Sequence, residues 1–131
     1  MSQVKRRSSL YECPAWPDPA DPPFVNAVAE IDTALAPEPL LAALHAIEAG
    51  FGRRRSQRNA PRTLDLDLIA YRDETQAAAD GLVLPHPRLS GRAFVLAPLA
   101  EIAPDWRHPT SGQTAAEMLA QADCGGLRKI S

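Results

Sequence analysis

Apolar and polar residues alternate over two stretches of the chain. Between residues 24 and 31, the apolar positions that begin at Val25 share one face, whereas Phe24 and Asn26 share the other. Between residues 63 and 69, three leucines share one face, and Asp65 and Asp67 lie on the opposite face. A period of two is typical of β-strands, so each stretch is predicted to be a strand.

A different spacing separates these two strands. From Pro37 to Phe51, apolar residues recur at intervals of four, three and four, which is one stripe of an amphipathic helix: Leu40, Leu44, Ile47 and Phe51. Gly50 and Gly52 are expected to end this helix.

Two further elements are predicted in the carboxy-terminal third. Thr114 followed by Glu117 has the spacing of a capping box, which predicts a short helix through Met118 and Leu119. The stretch from Phe94 to Ile102 is apolar but contains Pro98, and the pattern leaves both a short helix and a strand open.

The order of these elements predicts the fold class. Leu10 and Tyr11 form a short extended segment before a proline-rich loop, and strand, helix and strand follow. This order favours an α+β domain, with an antiparallel sheet and helices packed on it. A single domain over residues 1–131 is expected, because 131 residues with 45% hydrophobic content can bury one core.

Charge and cysteine content narrow the class of protein. The net charge of −2 argues against binding nucleic acid or anionic membrane over the whole surface. Cys13 and Cys124 lie far apart without metal-site spacing, which suits a reducing compartment. Residues 1–16 contain no long apolar run, so neither a signal peptide nor a membrane span is predicted, and a cytoplasmic location is expected.

The most informative local pattern is the acidic pair Asp65 and Asp67. Alternation places both carboxylates on the same face of the predicted strand, where they repel unless water or a cation compensates them. Magnesium often binds to one or two protein carboxylates and fills its other positions with water and phosphate oxygens. The alternative is a solvent-facing acidic edge.

An arginine-rich loop precedes this pair, with five arginines in ten residues: Arg53, Arg54, Arg55, Arg58 and Arg62. The guanidinium group matches phosphate oxygens in shape and charge. A basic loop leading into an acidic strand suits a metal-bound polyphosphate. A solvated charge run or a nucleic-acid patch is the alternative.

Two other places have candidate binding residues. His86 stands between Pro85 and Pro87 in a stiff segment and could contact a phosphate or simply be a loop histidine. Phe24 and Asn26 pair an aromatic plane with an amide and could hold a flat heterocycle, although core and turn-edge roles are equally compatible with the pattern.

Taken together, Pro61 to Ile69, the arginine loop before it and Leu84 to Arg88 after it resemble the hydroxymethyl-dihydropterin pyrophosphokinases. The similarity continues through Tyr11 to Pro14, Phe24 to Ala27, Ile47-Glu48, Arg92 to Leu96, Pro98-Leu99 and Glu101 to Pro104. The motifs follow the order of the family from Leu10 to about Pro104.

The resemblance implies a ferredoxin-like α+β fold and a reaction of folate biosynthesis. ATP would transfer its diphosphate to the hydroxymethyl group of 6-hydroxymethyl-7,8-dihydropterin and leave as AMP. Asp65 and Asp67 would hold two Mg²⁺ ions, and these two residues with Arg53 and Arg62 would carry catalysis. The implied ATP-binding residues are Glu48, Arg55, Arg62, Leu68, His86 and Arg92. The implied pterin-binding residues are Cys13, Pro14, Trp16, Phe24, Asn26 and Phe94.

The chain departs from the family pattern in two respects. The family normally begins with a strand, a Gly-Ser-Asn loop and a helix, and this sequence starts after them, so an amino-terminally truncated fold is expected. An internal methionine as the start is the favoured explanation. Self-association, a partner chain that replaces the first strand, and a degenerate relative are the alternatives. Cys13 stands where the family usually has threonine.

Two other classes of function remain open from the sequence. One is a non-catalytic nucleotide-binding or assembly module of the same fold. The other is an α+β RNA-binding domain that uses the arginine loop, although Asp65 and Asp67 would repel phosphate unless metal is present. The enzyme interpretation expects small-molecule substrates, with neither nucleic acid nor membrane as a partner.

Overall fold

A computed structural model describes residues 2–14, 20, 23–52, 65–77, 82–123 and 125–130. In chain order the elements are β1 (Ser2–Arg7), β2 (Tyr11–Cys13), β3 (Phe24–Asn26), β4 (Ala29–Thr33), α1 (Pro37–Gly52), β5 (Gln76–Ala77), β6 (Val83–Leu84), α2 (Ala93–Ile102), α3 (Ala115–Gln121) and β7 (Arg128–Lys129). The α+β class is confirmed. The strands belong to three small antiparallel sheets within the described residues, in the orders β1-β4, β3-β2-β7 and β5-β6.

The strand predicted over residues 24–31 is divided in two. Phe24–Asn26 pairs with β2, whereas Ala29–Thr33 pairs with β1. At the break, the backbone N–H of Ser8 donates to the carbonyl of Val28 (2.9 Å), and the Ser8 hydroxyl accepts from the Val28 N–H (2.9 Å). Because a side chain replaces the backbone in one of these bonds, the ladder is interrupted while the buried polar groups stay paired.

Residues 65–70 correct the second strand prediction. Exposure still alternates here, with Asp65 and Asp67 exposed and Leu66 and Leu68 half-buried, but the segment is not in a strand. Its backbone bonds go elsewhere: the Leu66 N–H donates to the Glu48 carboxylate, and the Ile69 carbonyl accepts from the His86 N–H at 2.7 Å. Residues 63 and 64 lie outside the described residues.

The predicted helix over residues 37–51 is confirmed as α1. Leu40 is buried and Leu44 is half-buried, as the stripe requires. Ile47 is 47% exposed, so the stripe turns away from the core in the second half of the helix. The side chain of Phe51 lies outside the described residues.

The open choice for residues 94–102 is decided in favour of a helix. Pro98 lies inside α2 and is fully buried, so packing outweighs the backbone hydrogen bond that proline removes. The capping box of α3 is also confirmed: the Thr114 hydroxyl accepts from the Glu117 N–H (3.1 Å), and the Glu117 carboxylate accepts from the Thr114 N–H (2.8 Å).

The core lies between α2 and α3. Its buried members are Leu89, Leu96, Leu99, Ala115 and Met118. Trp106 packs against this cluster, and its indole N–H donates to the carbonyl of Arg72 at 2.8 Å. Among the described residues, no helix is long and apolar enough to span a membrane.

Candidate active site

The acidic segment at residues 65–67 is attached to helix α1. Glu48, on the last turns of the helix, accepts a hydrogen bond from the Leu66 N–H at 2.5 Å. A charged acceptor makes this a strong bond. It fixes the backbone between Asp65 and Asp67, whose side chains are exposed. Glu48, expected to bind nucleotide, therefore also has a partner within the chain.

The two aspartates have the donor type that a hard cation requires. Both are exposed, whereas Leu66 between them is half-buried. Among the described residues, no group of three or more His, Cys, Asp or Glu side chains could hold a metal ion. Two carboxylates fit Mg²⁺, which leaves most of its positions to water and phosphate oxygens.

A cavity of about 490 Å³ lies beside this segment. One wall is a stripe of α1 at intervals of three, one and three residues: Glu38, Leu41, Ala42 and His45. The opposite walls include Asp67, Leu68 and His86. The structure thus brings together three of the residues that the sequence selects for ATP and metal.

His86 is oriented by two backbone contacts. The backbone N–H of His86 donates to the Ile69 carbonyl, and the ring Nδ1 accepts from the backbone N–H of Arg88 at 3.2 Å. With Nδ1 an acceptor, the neutral ring has its proton on Nε2. His86 can therefore donate a hydrogen bond from Nε2.

A second group of predicted residues gathers around β2, β3 and the start of α2. Asn26 lies opposite Tyr11, and Phe24 lies opposite Cys13. Phe24 is 49% exposed, so about half of its surface is accessible to a flat ligand. Strand β3 packs near α2.

The first turn of α2 carries the other predicted ring. Phe94 is half-buried, and the Arg92 guanidinium carbon lies 5.4 Å from the centre of its ring. At this distance the cation and the ring attract each other. A residue expected at the phosphates and one expected at the pterin are therefore neighbours, as the ends of two substrates that react must be.

Cys13 and Pro14 lie at the end of β2. Burial raises the pKa of the Cys13 thiol. The exposed Pro14 faces Gly126, where an added Cβ would come within 2.8 Å of the proline ring. Gly126 also has a φ of 78°, so both space and backbone require glycine there.

Four predicted site residues lie outside the described residues: Trp16, Arg53, Arg55 and Arg62. The described part of the site therefore includes the acidic pair, the wall formed by α1, and the rings of Phe24 and Phe94.

Sequence reasoning missed three residues that the structure brings to this region. His45 lies seven residues after Glu38, which is two turns of helix, so the helical period could have placed it on the cavity wall. Tyr11 and Glu101 are in contact although 90 residues separate them. No spacing rule predicts such a contact.

Comparison with known proteins decides the family. The family described as 7,8-dihydro-6-hydroxymethylpterin-pyrophosphokinase matches residues 1–104. The chain belongs to this family. The resemblance stated from the sequence motifs is confirmed.

Three curated relatives carry the name 2-amino-4-hydroxy-6-hydroxymethyldihydropteridine pyrophosphokinase. The chain is 47% identical to the protein of Synechocystis over 98% of its length, and it spans 65% of that relative. It is 44% identical to the protein of Methylorubrum extorquens over 98% of its length, spanning 79% of that relative. It is 48% identical to the protein of Pseudomonas aeruginosa over 86% of its length, spanning 68% of that relative.

Proposed function

We propose that this chain is a pterin pyrophosphokinase of folate synthesis, folded as one domain over residues 1–131. It would transfer diphosphate from ATP to the hydroxymethyl group of 6-hydroxymethyl-7,8-dihydropterin. The observation that carries this proposal is the cavity that joins Asp67, Leu68 and His86, in a chain whose relatives bear this enzyme name. The cytoplasm is the proposed location, because the half-buried free Cys13 suits a reducing compartment.

ATP would occupy the cavity beside α1. Leu68 would offer its backbone to adenine or ribose, and Glu48 would contact the nucleotide while it holds the Leu66 N–H. His86 would donate from Nε2 to a phosphate, with Arg92 close by. Arg53, Arg55 and Arg62 would surround the triphosphate, where guanidinium groups bind with two bonds each.

Asp65 and Asp67 would hold two Mg²⁺ ions against the phosphates. Bound magnesium neutralises charge on the phosphate oxygens and so lowers the barrier for attack. The residues contribute two exposed carboxylates of a segment that Glu48 fixes.

The pterin would lie between the rings of Phe24 and Phe94. Asn26 can both donate to and accept from the polar edge of the ring, which suits the pattern of a pterin. The backbone of Cys13 to Trp16 would supply further hydrogen bonds.

The chain itself would act by positioning and electrostatics, as phosphoryl transfer requires. The pterin hydroxymethyl oxygen forms a bond to the β-phosphorus, and its proton passes to solvent water or to the phosphate of the departing AMP. The bond from the β-phosphorus to the oxygen that bridges it to the α-phosphorus breaks, and AMP leaves with that oxygen. No covalent enzyme intermediate is needed.

The test is formation of AMP by the purified protein with Mg²⁺, ATP and the hydroxymethyl-dihydropterin. A variant with Asp65→Asn and Asp67→Asn should lose roughly a hundredfold or more of the rate, because metal charge is worth several kcal/mol in the transition state. Asp73→Asn, which changes an exposed aspartate of a turn, is the matched control and should keep the rate. AMP formation that survives the double change would contradict the proposal.

The same experiment separates the two rival functions. Nucleotide binding without AMP would favour a non-catalytic module. RNA binding with a steep salt dependence, unaffected by the two aspartate changes, would favour an RNA-binding domain.

We also propose that a second copy of the chain fills a groove between β4 and residues 65–72. The groove has a volume of about 420 Å³, and Leu99, Ile102 and Trp106 line it together with Asp32. Strand β4 pairs only with β1 among the described strands. The exposed strand β1 carries Lys5 and Arg7, whereas Arg6 is paired with Glu30 of its own chain at 2.7 Å. Strand β1 of another copy therefore has two cations and backbone groups for the acidic side of this groove.

Sedimentation velocity over a range of concentrations tests this association. We expect a dimer that salt weakens and that Lys5→Glu with Arg7→Glu abolishes, because these changes reverse the charge on the entering strand. A protein that stays monomeric at all concentrations would show that no second copy occupies the groove.

A further inference from the structure

The carboxylate of Glu101 connects two parts of the fold that are distant in sequence. Glu101 stands near the end of α2, and both its oxygens lie 3.1 Å from the N–H of Ser9. The Ser9 hydroxyl donates to the same group at 3.0 Å, and the Tyr11 hydroxyl donates at 2.7 Å. We call Glu101, Ser9 and Tyr11 the Glu101 clamp.

The contacts within the clamp shift the pKa values of Glu101 and Tyr11 in opposite directions. The bond from Tyr11 is the main cause that lowers the pKa of Glu101, and the bonds from Ser9 and the charge of Lys129 act in the same direction. Burial, together with the bond and the charge of Glu101, raises the pKa of Tyr11 to about 12. Tyr11 is therefore a neutral donor and Glu101 an ionised acceptor throughout the neutral range.

The clamp joins the two sides of the proposed pterin site. Tyr11 lies in β2 directly opposite Asn26, and the same pair of strands places Cys13 opposite Phe24. Glu101 lies on α2, whose second residue is Phe94. One carboxylate thus connects the sheet that carries Phe24 and Asn26 to the helix that carries Phe94.

We propose that Glu101 is a positioning residue for the pterin: it holds the β2–β3 hairpin against α2 so that Phe24 and Phe94 keep the separation of one flat ring. This role rests on the proposed function. Glu101 itself contacts neither substrate. Its removal should weaken pterin binding and affect ATP binding much less, because the cavity proposed for ATP is lined by α1 and by residues 66–68, 82–83 and 86–87.

The first experiment compares dissociation constants of Glu101→Gln with those of the unchanged protein. Hydrogen bonds to a charged group are stronger than neutral ones, but solvent screens this exposed carboxylate, so the effect should be modest. We therefore expect the dissociation constant for the pterin to rise by about fivefold and that for the ATP analogue to change much less. Tyr11→Phe, which removes one of the bonds, should give an intermediate effect.

Glu117→Gln is the matched control. Glu117 is also an exposed carboxylate that accepts a backbone N–H and has a lowered pKa, but it caps α3 and does not touch the hairpin. Its change should reduce stability without altering pterin affinity. Equal losses of pterin affinity in the Glu101 and Glu117 variants would show that the clamp only stabilises the fold, and would overturn the positioning role.

A second readout reports on the clamp without any substrate. The chain has two tyrosines, so a Tyr71→Phe background leaves the ultraviolet titration of Tyr11 alone. Glu101→Gln should move the pKa of Tyr11 from about 12 toward its usual value of 10.0. An unmoved titration would show that the contact is absent in solution and would overturn the proposal.

The outcomes for the two proposals differ. If the unchanged protein binds no pterin, the proposed function fails and the positioning role fails with it. If the unchanged protein binds pterin and Glu101→Gln binds it equally well, only the positioning role fails.

Discussion

Individual carboxylates in this chain have different tasks although they are chemically alike. Asp65 and Asp67 are exposed and are the proposed metal ligands. Glu48 and Glu101 accept hydrogen bonds that hold one element against another. Glu48 and Glu101 have this task because N–H and O–H donors of distant residues reach them, which the sequence alone does not show.

Arg62 lies in the arginine loop, next to the acidic segment in sequence. We predict that Arg62→Ala lowers kcat on the order of a thousandfold, because an arginine at the transferred phosphoryl group stabilises charge that develops in the transition state. The dissociation constant for ATP should change much less. Arg107→Ala, at an exposed position between α2 and α3, serves as the control. Equal losses in kcat and in ATP affinity would contradict the transition-state role.

The pH dependence of stability follows from the clamp. The pKa of Glu101 is lowered in the folded protein, so its contribution is present above the usual value of 4.5 and is lost as the pH falls through the lowered pKa. The pKa of Tyr11 is raised, so its contribution is present below pH 10.0 and is lost as the pH rises through about 12.

Denaturant unfolding at a series of pH values measures this dependence. We expect Glu101→Gln to flatten the acid side of the stability profile, and Tyr11→Phe to flatten the alkaline side. A Glu101→Gln profile parallel to that of the unchanged protein below pH 4.5 would contradict the assignment.

At the scale of elements, the best predictions came from signals that are complete within a few residues. The capping box of α3 needs only Thr114 and Glu117, and the structure confirms both bonds. The period of α1 is likewise local. The strands at residues 24–31 and 63–69 were harder, because a strand also needs a partner, and Ser8, Glu48 and His86 provide other partners at those points.

The same distinction explains how much of the candidate site was predictable. Motif resemblance selected Asp67, Leu68 and His86, and the structure brings them to one cavity. The contact of Glu48 with Leu66 depends on how α1 packs after an 18-residue separation, so it could not be predicted from pattern. The fully buried Pro98 shows why the pattern left residues 94–102 open between helix and strand, since local propensity alone argues against a helix there and packing favours it.

The capping box gives a prediction for α3. Thr114→Ala removes the acceptor for the Glu117 N–H and should lower the free energy of unfolding by about 1 kcal/mol. Thr110→Ala, at an exposed loop position, should change it by less than about 0.5 kcal/mol. Chemical denaturation measures both, and equal effects would show that the cap contributes nothing.

At the scale of the whole molecule, one small core holds the carboxy-terminal half together. Leu96 is completely buried between α2 and α3, and Leu99 and Met118 belong to the same cluster. Because α2 also carries Arg92, Phe94 and Glu101, the stability of this core and the order of the pterin side of the site are connected.

Leu96→Ala should lower the free energy of unfolding by about 2–5 kcal/mol, since it leaves a cavity in this core. Ile47→Ala is the control, because Ile47 is 47% exposed on α1. Thermal unfolding compares the two variants. A loss for Leu96→Ala no greater than that for Ile47→Ala would show that the α2–α3 cluster is not the main core.

Cys13 offers a chemical probe of the proposed pterin site. Its thiol is half-buried and its pKa is raised, so little reactive thiolate exists at neutral pH, and alkylating reagents should react slowly. Cys13 also lies opposite Phe24, on the same face of the hairpin. A bound pterin on that face would shield the sulfur further, so in a Cys124→Ser background the rate of maleimide labelling of Cys13 becomes a direct report of whether the pterin site is occupied.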